Sequence, residues 1–326
     1  MSNLSKQYAE PSEITIGGKY HVRINEFRNC DWCSIFNTPQ FFNIHRNGAA
    51  FYFELQVGTP GESVGVAHFT EVEHGYYRSP RRGTFGSFEF RERLRIEIID
   101  GFYDEIERVL AANDAHRIEI LEPPAILDPQ AAAVRYNMFY RKGYRPQAPE
   151  LDHALTVDER EFSERIEYNI RKRLNKCKRE DIVVKQVDPP LYRQVYDVIV
   201  RNRSAKGFPV SMTYEAISTM VEAFPERLVF FGAFSNDTMI ASSICINVNS
   251  AMLYVFYWGD LPGYETYSPV TVIAESIYRY AQDHGFSLID LGTSTIGGVP
   301  NYGLVNFKRE MGCLDSLKLT FVKQMG

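Results

Sequence analysis

Apolar and polar residues alternate along "AFYFELQVG" (residues 50–58) and "ESVGVAHFTEV" (62–72), and "TPG" between them is a turn signal. That period of two predicts a β-hairpin. "YYRSPRRGTFGSFEF" (76–90) is interrupted by Pro80, Gly83 and Gly86, so it is expected to be a loop running into a strand. The period then lengthens. In "GFYDEIERVLAAND" (101–114) Phe102, Ile106, Val109 and Leu110 share one helical face. A strand is expected at 116–122, a helix at 129–143 and a strand at 151–157.

The second half begins with "DEREFSERIEYNIRKRLNKCKRED" (158–181), expected to be one long polar helix. Its cations gather toward the C-terminal end, where the helix dipole favours them. The strand "IVVKQV" and two helices, "PPLYRQVYDVIVRNR" and "SMTYEAISTMVEAF", come next. Three strands follow, "RLVFFGAFS", "TMIASSICINVN" and "AMLYVFYWGD", the first two joined by "SND" as an antiparallel pair. A helix at 268–284, the strand "SLIDLGTS", a short helix at 302–311 and a final strand "SLKLTFVKQ" complete the chain. Helix, strand, helix, strand thus occurs in both halves after strand hairpins. The repeat predicts two copies of one mixed α/β unit, residues 1–157 and 158–326.

Composition narrows the class. A chain of 326 residues with 44% hydrophobic and 24% charged residues can bury two cores. A net charge of -5 gives no overall attraction to nucleic acid. No apolar run reaches the roughly 20 residues that span a bilayer. The first 20 residues lack a secretory pattern, and five cysteines without framework spacing suit a reducing cytoplasm, so a cytoplasmic location is expected. "CDWC" (30–33) has the spacing of half a zinc site with no second pair, and a structural pair is the favoured reading.

The chemistry converges on the C-terminal stretch. "LYVFYWGDLPGYETYSPVTVIAESIYRYAQDHGFSLIDLGTSTIGGVPNYGLVNFKREMGC" joins an aromatic strand, a helix ending in Gly, "DLG", and "FK" followed by Gly. It resembles the C-terminal unit of the Fem-type peptidyltransferases within the GNAT acyltransferase superfamily. "NIRKRLNKCKRED" and "RNRSAKGFPVS" are similar to that group's Arg-containing segments, and "SPRRGTFG" and "CSIFNTPQFF" to motifs of its N-terminal unit. The resemblance implies two tandem GNAT-like domains, each a mixed, mostly antiparallel sheet flanked by helices. The second would be catalytic and take the donor, and the first would be degenerate and shape the acceptor side. It also implies transfer of an acyl or aminoacyl group to an amine. Acyl-CoA or aminoacyl-tRNA would serve as co-substrate, with no tightly bound cofactor and no metal.

Acyl transfer passes through a tetrahedral intermediate whose oxygen turns anionic, and a fixed cation there lowers the barrier. Lys308, the "FK" lysine, is the candidate for that role; the alternative is a solvated cation on a short helix. Arg171 and Arg203 could grip phosphates, as guanidinium forks do, or could simply face water. Ser268 and Pro269 fit an N-cap and first helical position. In GNAT enzymes the matching helix N-terminus faces the pyrophosphate of acyl-CoA. The usual Q/R-x-x-G-x-G/A signature is replaced here by "LPGYETYSP". Tyr257, Asp260 and Asp290 are candidates to take the amine's proton. Thr293 and Tyr302, flanking the helix of Lys308, complete the candidate substrate contacts. The acceptor would be a small molecule or cell-envelope precursor; the polar helix has no sustained heptads for a coiled-coil arm, so tRNA use rests on the basic residues alone. The other reading is a tandem fold that binds a ligand without catalysing.

Overall fold

The computed structural model describes residues 14–16, 18–28, 30–58 and 61–325. Residues 59–60, where a turn is expected, and the segment through residue 13 lie outside them. The chain forms two compact units, residues 1–149 with 318–326, and residues 150–317. The expected boundary at 157 therefore moves, for a reason visible in the sheets.

In the first unit, β1 (Ile14–Ile16), β2 (Tyr20–Ile24), α1 (Pro39–His45), β3 (Ala50–Val57), β4 (Glu62–Glu73), β5 (Tyr76–Ser79) and β6 (Glu89–Phe90) precede α2 (Ile96–Ala111). They are followed by β7 (Arg117–Leu121), α3 (Pro129–Arg141) and β8 (Arg145–Pro146). β9 (Glu150–Thr156) opens the second unit, followed by α4 (Phe162–Arg165), α5 (Tyr168–Arg179), β10 (Val183–Gln186), α6 (Tyr192–Ala205), α7 (Tyr214–Ala223), β11 (Leu228–Ser235), β12 (Thr238–Asn247) and β13 (Met252–Asp260). Then come α8 (Val270–Asp283), β14 (Leu288–Thr293), β15 (Thr295–Ile296), β16 (Val299–Pro300), α9 (Tyr302–Glu310), β17 (Leu314–Lys318) and β18 (Thr320–Gln324).

One sheet runs β1-β2-β3-β4-β5-β7-β18-β8 and the other β10-β11-β12-β13-β14-β9-β17. The expected final strand is thus two strands in two sheets, separated at Leu319. Likewise β9, the last strand of the first repeat, pairs with β14 of the second unit. Each repeat supplies the penultimate position of the other sheet. Pattern reading finds such strands but not their partners, because alternation reports two faces and not a neighbour.

Two other expectations change. The long polar helix is broken into α4 and α5 at Ile166 and Glu167, where the backbone is extended. α4 opens with a reciprocal capping box between Glu161 and Glu164. α2 starts at Ile96, five residues earlier than its apolar stripe suggested. Each unit has its own core. One gathers Phe53, Phe69, Phe88, Phe102, Ile118 and Phe139, and the other Ile170, Ile240, Leu253, Val255, Ile277 and Ile289.

Cys30 and Cys33 are paired as a disulfide, the structural pair expected of "CDWC". Cys177, Cys245 and Cys313 are free thiols and buried. Burial pushes Cys245 and Cys313 up to about 12, so neither is a ready nucleophile.

Beside the disulfide face of β3, Glu54 is fully buried. Burial raises its carboxyl to about 7; the Arg28 backbone opposes this, Glu26 adds to it and the Arg28 charge opposes it. Because the folded state holds that proton more tightly than the unfolded chain, Glu54 costs stability as pH rises from about 4.5 through about 7. Glu54→Gln is therefore expected to raise stability by about 1–3 kcal/mol at pH 8 and hardly at all at acidic pH. Urea melts at the two pH values check this; equal shifts at both would refute it.

Candidate functional site

β13 and β14 run parallel, but only Met252–Tyr254 register with Leu288–Asp290. Beyond that, β13 continues to Asp260 along β12. The two parallel strands thus part, and a small apolar cavity lined by Trp258, Leu291, Ala274, Ile277 and Met311 lies at the parting. In the first unit the corresponding β5 ends at Ser79 with all four residues paired to β7. The expected alternation of Tyr254, Phe256 and Trp258 is broken by a bulge that skips Phe256. Trp258 consequently joins the α8 side with Phe307.

β14 also bulges against β9: Asp290 is opposite Ala154, but Thr293 is opposite Asp152. Gly292 sits in the bulge at φ +74°, a conformation that L side chains rarely adopt. Its N–H donates to Asp290 Oδ1 at 2.6 Å. The bulge turns two carbonyls toward α9, where Lys308 Nζ donates to Gly292 O at 2.7 Å and Thr293 O at 3.1 Å. Asn301 caps that helix by accepting from the Leu304 N–H.

Lys308 is 1% exposed, so the solvated-cation reading fails. Burial brings its ammonium down to about 8, while Asp152, Asp290 and Cys313 pull it back up. Asp152 and Asp290 are themselves buried. On the neighbouring position of β9, buried His153 has Nδ1 3.1 Å from Ser294 Oγ and Nε2 3.3 Å from Asp315 Oδ1. Burial depresses this imidazole to about 4, with Lys308 adding to the effect, so it is neutral at physiological pH.

The other candidates fall into separate groups. Arg203 lies over the Tyr257 ring at 5.1 Å and donates to Pro209 O at 3.4 Å. The Tyr257 hydroxyl accepts from Ser211 N and Met212 N at 3.1 and 3.2 Å. Asp260 accepts from Asn202 Nδ2 at 2.8 Å and has Lys206 Nζ at 3.7 Å. Tyr257 and Asp260 therefore sit on the end of β13 that has left β14 but stays paired with β12, and Arg203 reaches it from α6, all three fixed by neighbours. Arg171 commits its guanidinium to the carbonyls of Ser163 and Ile166, closing the α4–α5 corner. Ser268 is not the N-cap. It adopts φ +56°, and α8 begins at Val270 after Pro269, with no side-chain cap. Tyr302 is 74% exposed at the start of α9.

Asp152 and His153 escaped sequence reading, since β9 belongs in sequence to the other repeat. Their one signal was two charged-type residues inside the apolar run of "LDHALTV". Backbone bonds make the comparison of the two units residue by residue. Gly143 and Gly312 end α3 and α9 at φ +87° and +85°, and Tyr144 N→Phe139 O matches Cys313 N→Lys308 O. Phe139 thus occupies the place of Lys308. Phe321 pairs with Pro146 as His153 meets Asp315, so Phe321 stands for His153, and Thr320 for Asp152. Phe139 and Phe321 pack at 4.8 Å between centroids. The second unit has an ammonium and an imidazole where the first has two rings.

Residues 164–309 match the acetyltransferase (GNAT) domain family. That match lies within the second unit and covers less than half of the chain. The two-unit fold is also that of solved structures, a tandem GNAT protein among them. FemX is similar with a TM-score of 0.67 at 12% identity, over 92% of this chain and 94% of that one. L-PGS from Bacillus licheniformis gives 0.56 at 12%, over 81% and 82%. A tandem GNAT protein from the clavulanic acid biosynthesis pathway gives 0.50 at 12%, over 85% and 83%. No curated protein matches the chain in sequence. The GNAT match begins after β9, so Asp152 and His153 enter the GNAT domain's sheet from outside the matched segment. Among the described residues, no helix is long and apolar enough to cross a membrane.

Proposed function

We propose that the protein is an N-acyltransferase whose second unit carries an acyl group from a CoA donor to an amine, with Lys308 stabilising the oxyanion. One observation carries this reading: a buried ammonium sits at the open end of the parted parallel strands, held by two carbonyls of a bulge. Charge is costly there, and the first unit shows that the same fold closes with Phe139 instead. The thioester would enter at the parting of β13 and β14, its carbonyl oxygen meeting the Nζ–H that Gly292 and Thr293 leave over. As the amine attacks and the C–N bond forms, negative charge grows on that oxygen beside a cation already oriented for it; the C–S bond then breaks and CoA leaves as the thiolate, which takes up a proton as the amine loses one. The amine must arrive unprotonated or lose its proton in the site.

The acceptor class implied by the Fem-type resemblance is an amine of a cell-envelope or polysaccharide precursor, in the cytoplasm. Aminoacyl-tRNA is the second donor reading. Its support is the exposed face of α5, where Lys172, Arg173 and Arg179 point to solvent. The first unit, with its apolar counterpart of the site, would shape the acceptor side.

Thermal shift with acetyl-CoA, longer acyl-CoAs and an aminoacyl-tRNA discriminates the donors. At 100-fold excess over Kd a donor adds about 2.7 kcal/mol of stability. An acyl-CoA response with none from tRNA is expected. No response to any donor would count against transfer and favour a binding-only protein.

A further inference from the structure

We propose that Asp290 is a positioning residue for Lys308, acting through the Gly292 peptide, and that Asp152 shares this task from β9. The inference rests on the acyl-transfer reading for its kinetic consequence, though not for its physical content.

The connection is continuous. Asp290 Oδ1 accepts the Gly292 N–H, and the carbonyl of the same residue accepts the Lys308 ammonium. The N–H and the carbonyl of Gly292 lie in successive peptide planes, and since glycine has no side chain to restrict φ and ψ between them, the bond to Asp290 anchors the first plane and so limits the positions open to the second. Asp152 sits opposite Thr293, the residue whose carbonyl takes the second Lys308 bond. Asp290 thus anchors the peptide before the first carbonyl, and Asp152 lies across the ladder from the residue of the second, its charge favouring the ammonium.

The fold does not require this arrangement. In the first unit Glu119 takes the place of Asp290, on the same strand position beside the parallel neighbour, and is ion-paired at 3.1 Å to Arg78 and 2.8 Å to Arg117. Thr320 takes the place of Asp152 and Phe139 that of Lys308. Among the described residues, the unit with the parted strands sets Asp152 and Asp290, both buried, beside a buried ammonium, and the matching positions of the first unit do not.

The groups facing Lys308 are Asp152 and His153 from β9, Asp290 from β14 and Cys313 after α9, with Arg309 beside it on its own helix. His153 is neutral and Cys313 protonated near pH 8. The charge that varies at the ammonium is therefore its own, against the two aspartates. Both aspartates raise its pKa, so removing either charge lets the ammonium lose its proton at lower pH.

The test uses full-length protein labelled with 13Cε-lysine, with the Lys308 resonance assigned by its loss in Lys308→Met. The wild-type midpoint is expected near 8. Asp290→Asn keeps an oxygen for the Gly292 N–H but removes the charge, and should lower the midpoint by about one unit. Asp152→Asn should do the same and carries the test if the other variant does not fold. Kinetically, the alkaline limb of kcat should move down with the midpoint while KM stays near the wild-type value. Asp290→Ala, which also frees the Gly292 peptide, should lose roughly tenfold more in kcat than Asp290→Asn. An unmoved midpoint in both asparagine variants overturns the inference. Moved midpoints in a protein that transfers no acyl group uphold the inference and sink the transferase reading instead.

Discussion

Lys308→Ala is expected to lower kcat by about 10²–10³-fold, with KM for the acyl donor changed far less. The magnitude is that of losing one fixed donor to a developing oxyanion, about 3–4 kcal/mol of barrier. The split follows because the neutral thioester gains little from the ammonium before charge develops. Two controls separate this from unfolding. Lys308→Met keeps most of the buried volume, and its melting curve reports what the aspartates cost when left facing a neutral chain. Lys308→Arg keeps the charge but brings a larger planar group into a site built for a compact one, and it should rescue little activity. The pH dependence has a definite sign. Lys308 must be protonated, so activity falls as pH rises through about 8, while the acceptor's need to lose a proton makes it rise from lower pH. Turnover of the alanine variant at the wild-type rate would end the oxyanion assignment.

Arg135→Met is expected to destabilise the first unit by about 3–5 kcal/mol. Arg135 Nε meets Glu122 Oε2 at 2.7 Å, with the two side chains 7% and 0% exposed. Glu122 also accepts the hydroxyl of Ser87, which is buried in a left-handed backbone conformation. Removing the guanidinium leaves a carboxylate in an apolar interior with only a neutral donor. Adding Glu122→Gln to Arg135→Met should return part of the loss, because the remaining group is then uncharged. The second unit has Leu304 and Ser294 at the matching positions, so the ion pair is local to the first. Denaturant unfolding of the single and double variants checks this. A single variant that unfolds with the wild type, or a double no more stable than the single, contradicts it.

Much of this protein was legible in one dimension. Period-two runs marked β3, β4, β11 and β12, and the 3.6 period with Gly143, Gly285 and Gly312 marked the ends of α3, α8 and α9. The "FK" at 307–308 pointed to Lys308 through its resemblance to the Fem-type motif; by itself it left a surface cation as the alternative. Local rules suffice there because helix faces, caps and strand alternation are set by residues a few positions apart.

Other features were decided only when distant segments met. "SLKLTFVKQ" reads as one strand, yet Leu319 divides it between two sheets, since alternation cannot say which neighbour a strand will pair with. Asp152 and His153 read as part of the first repeat and became neighbours of Lys308 by the pairing of β9 with β14. Arg171 read as a phosphate ligand and became a corner brace once α4 turned away from α5. The composition of each element was written in the chain. Which charges would share a dry interior was not, because burial and electrostatic coupling depend on distances across the fold rather than along it.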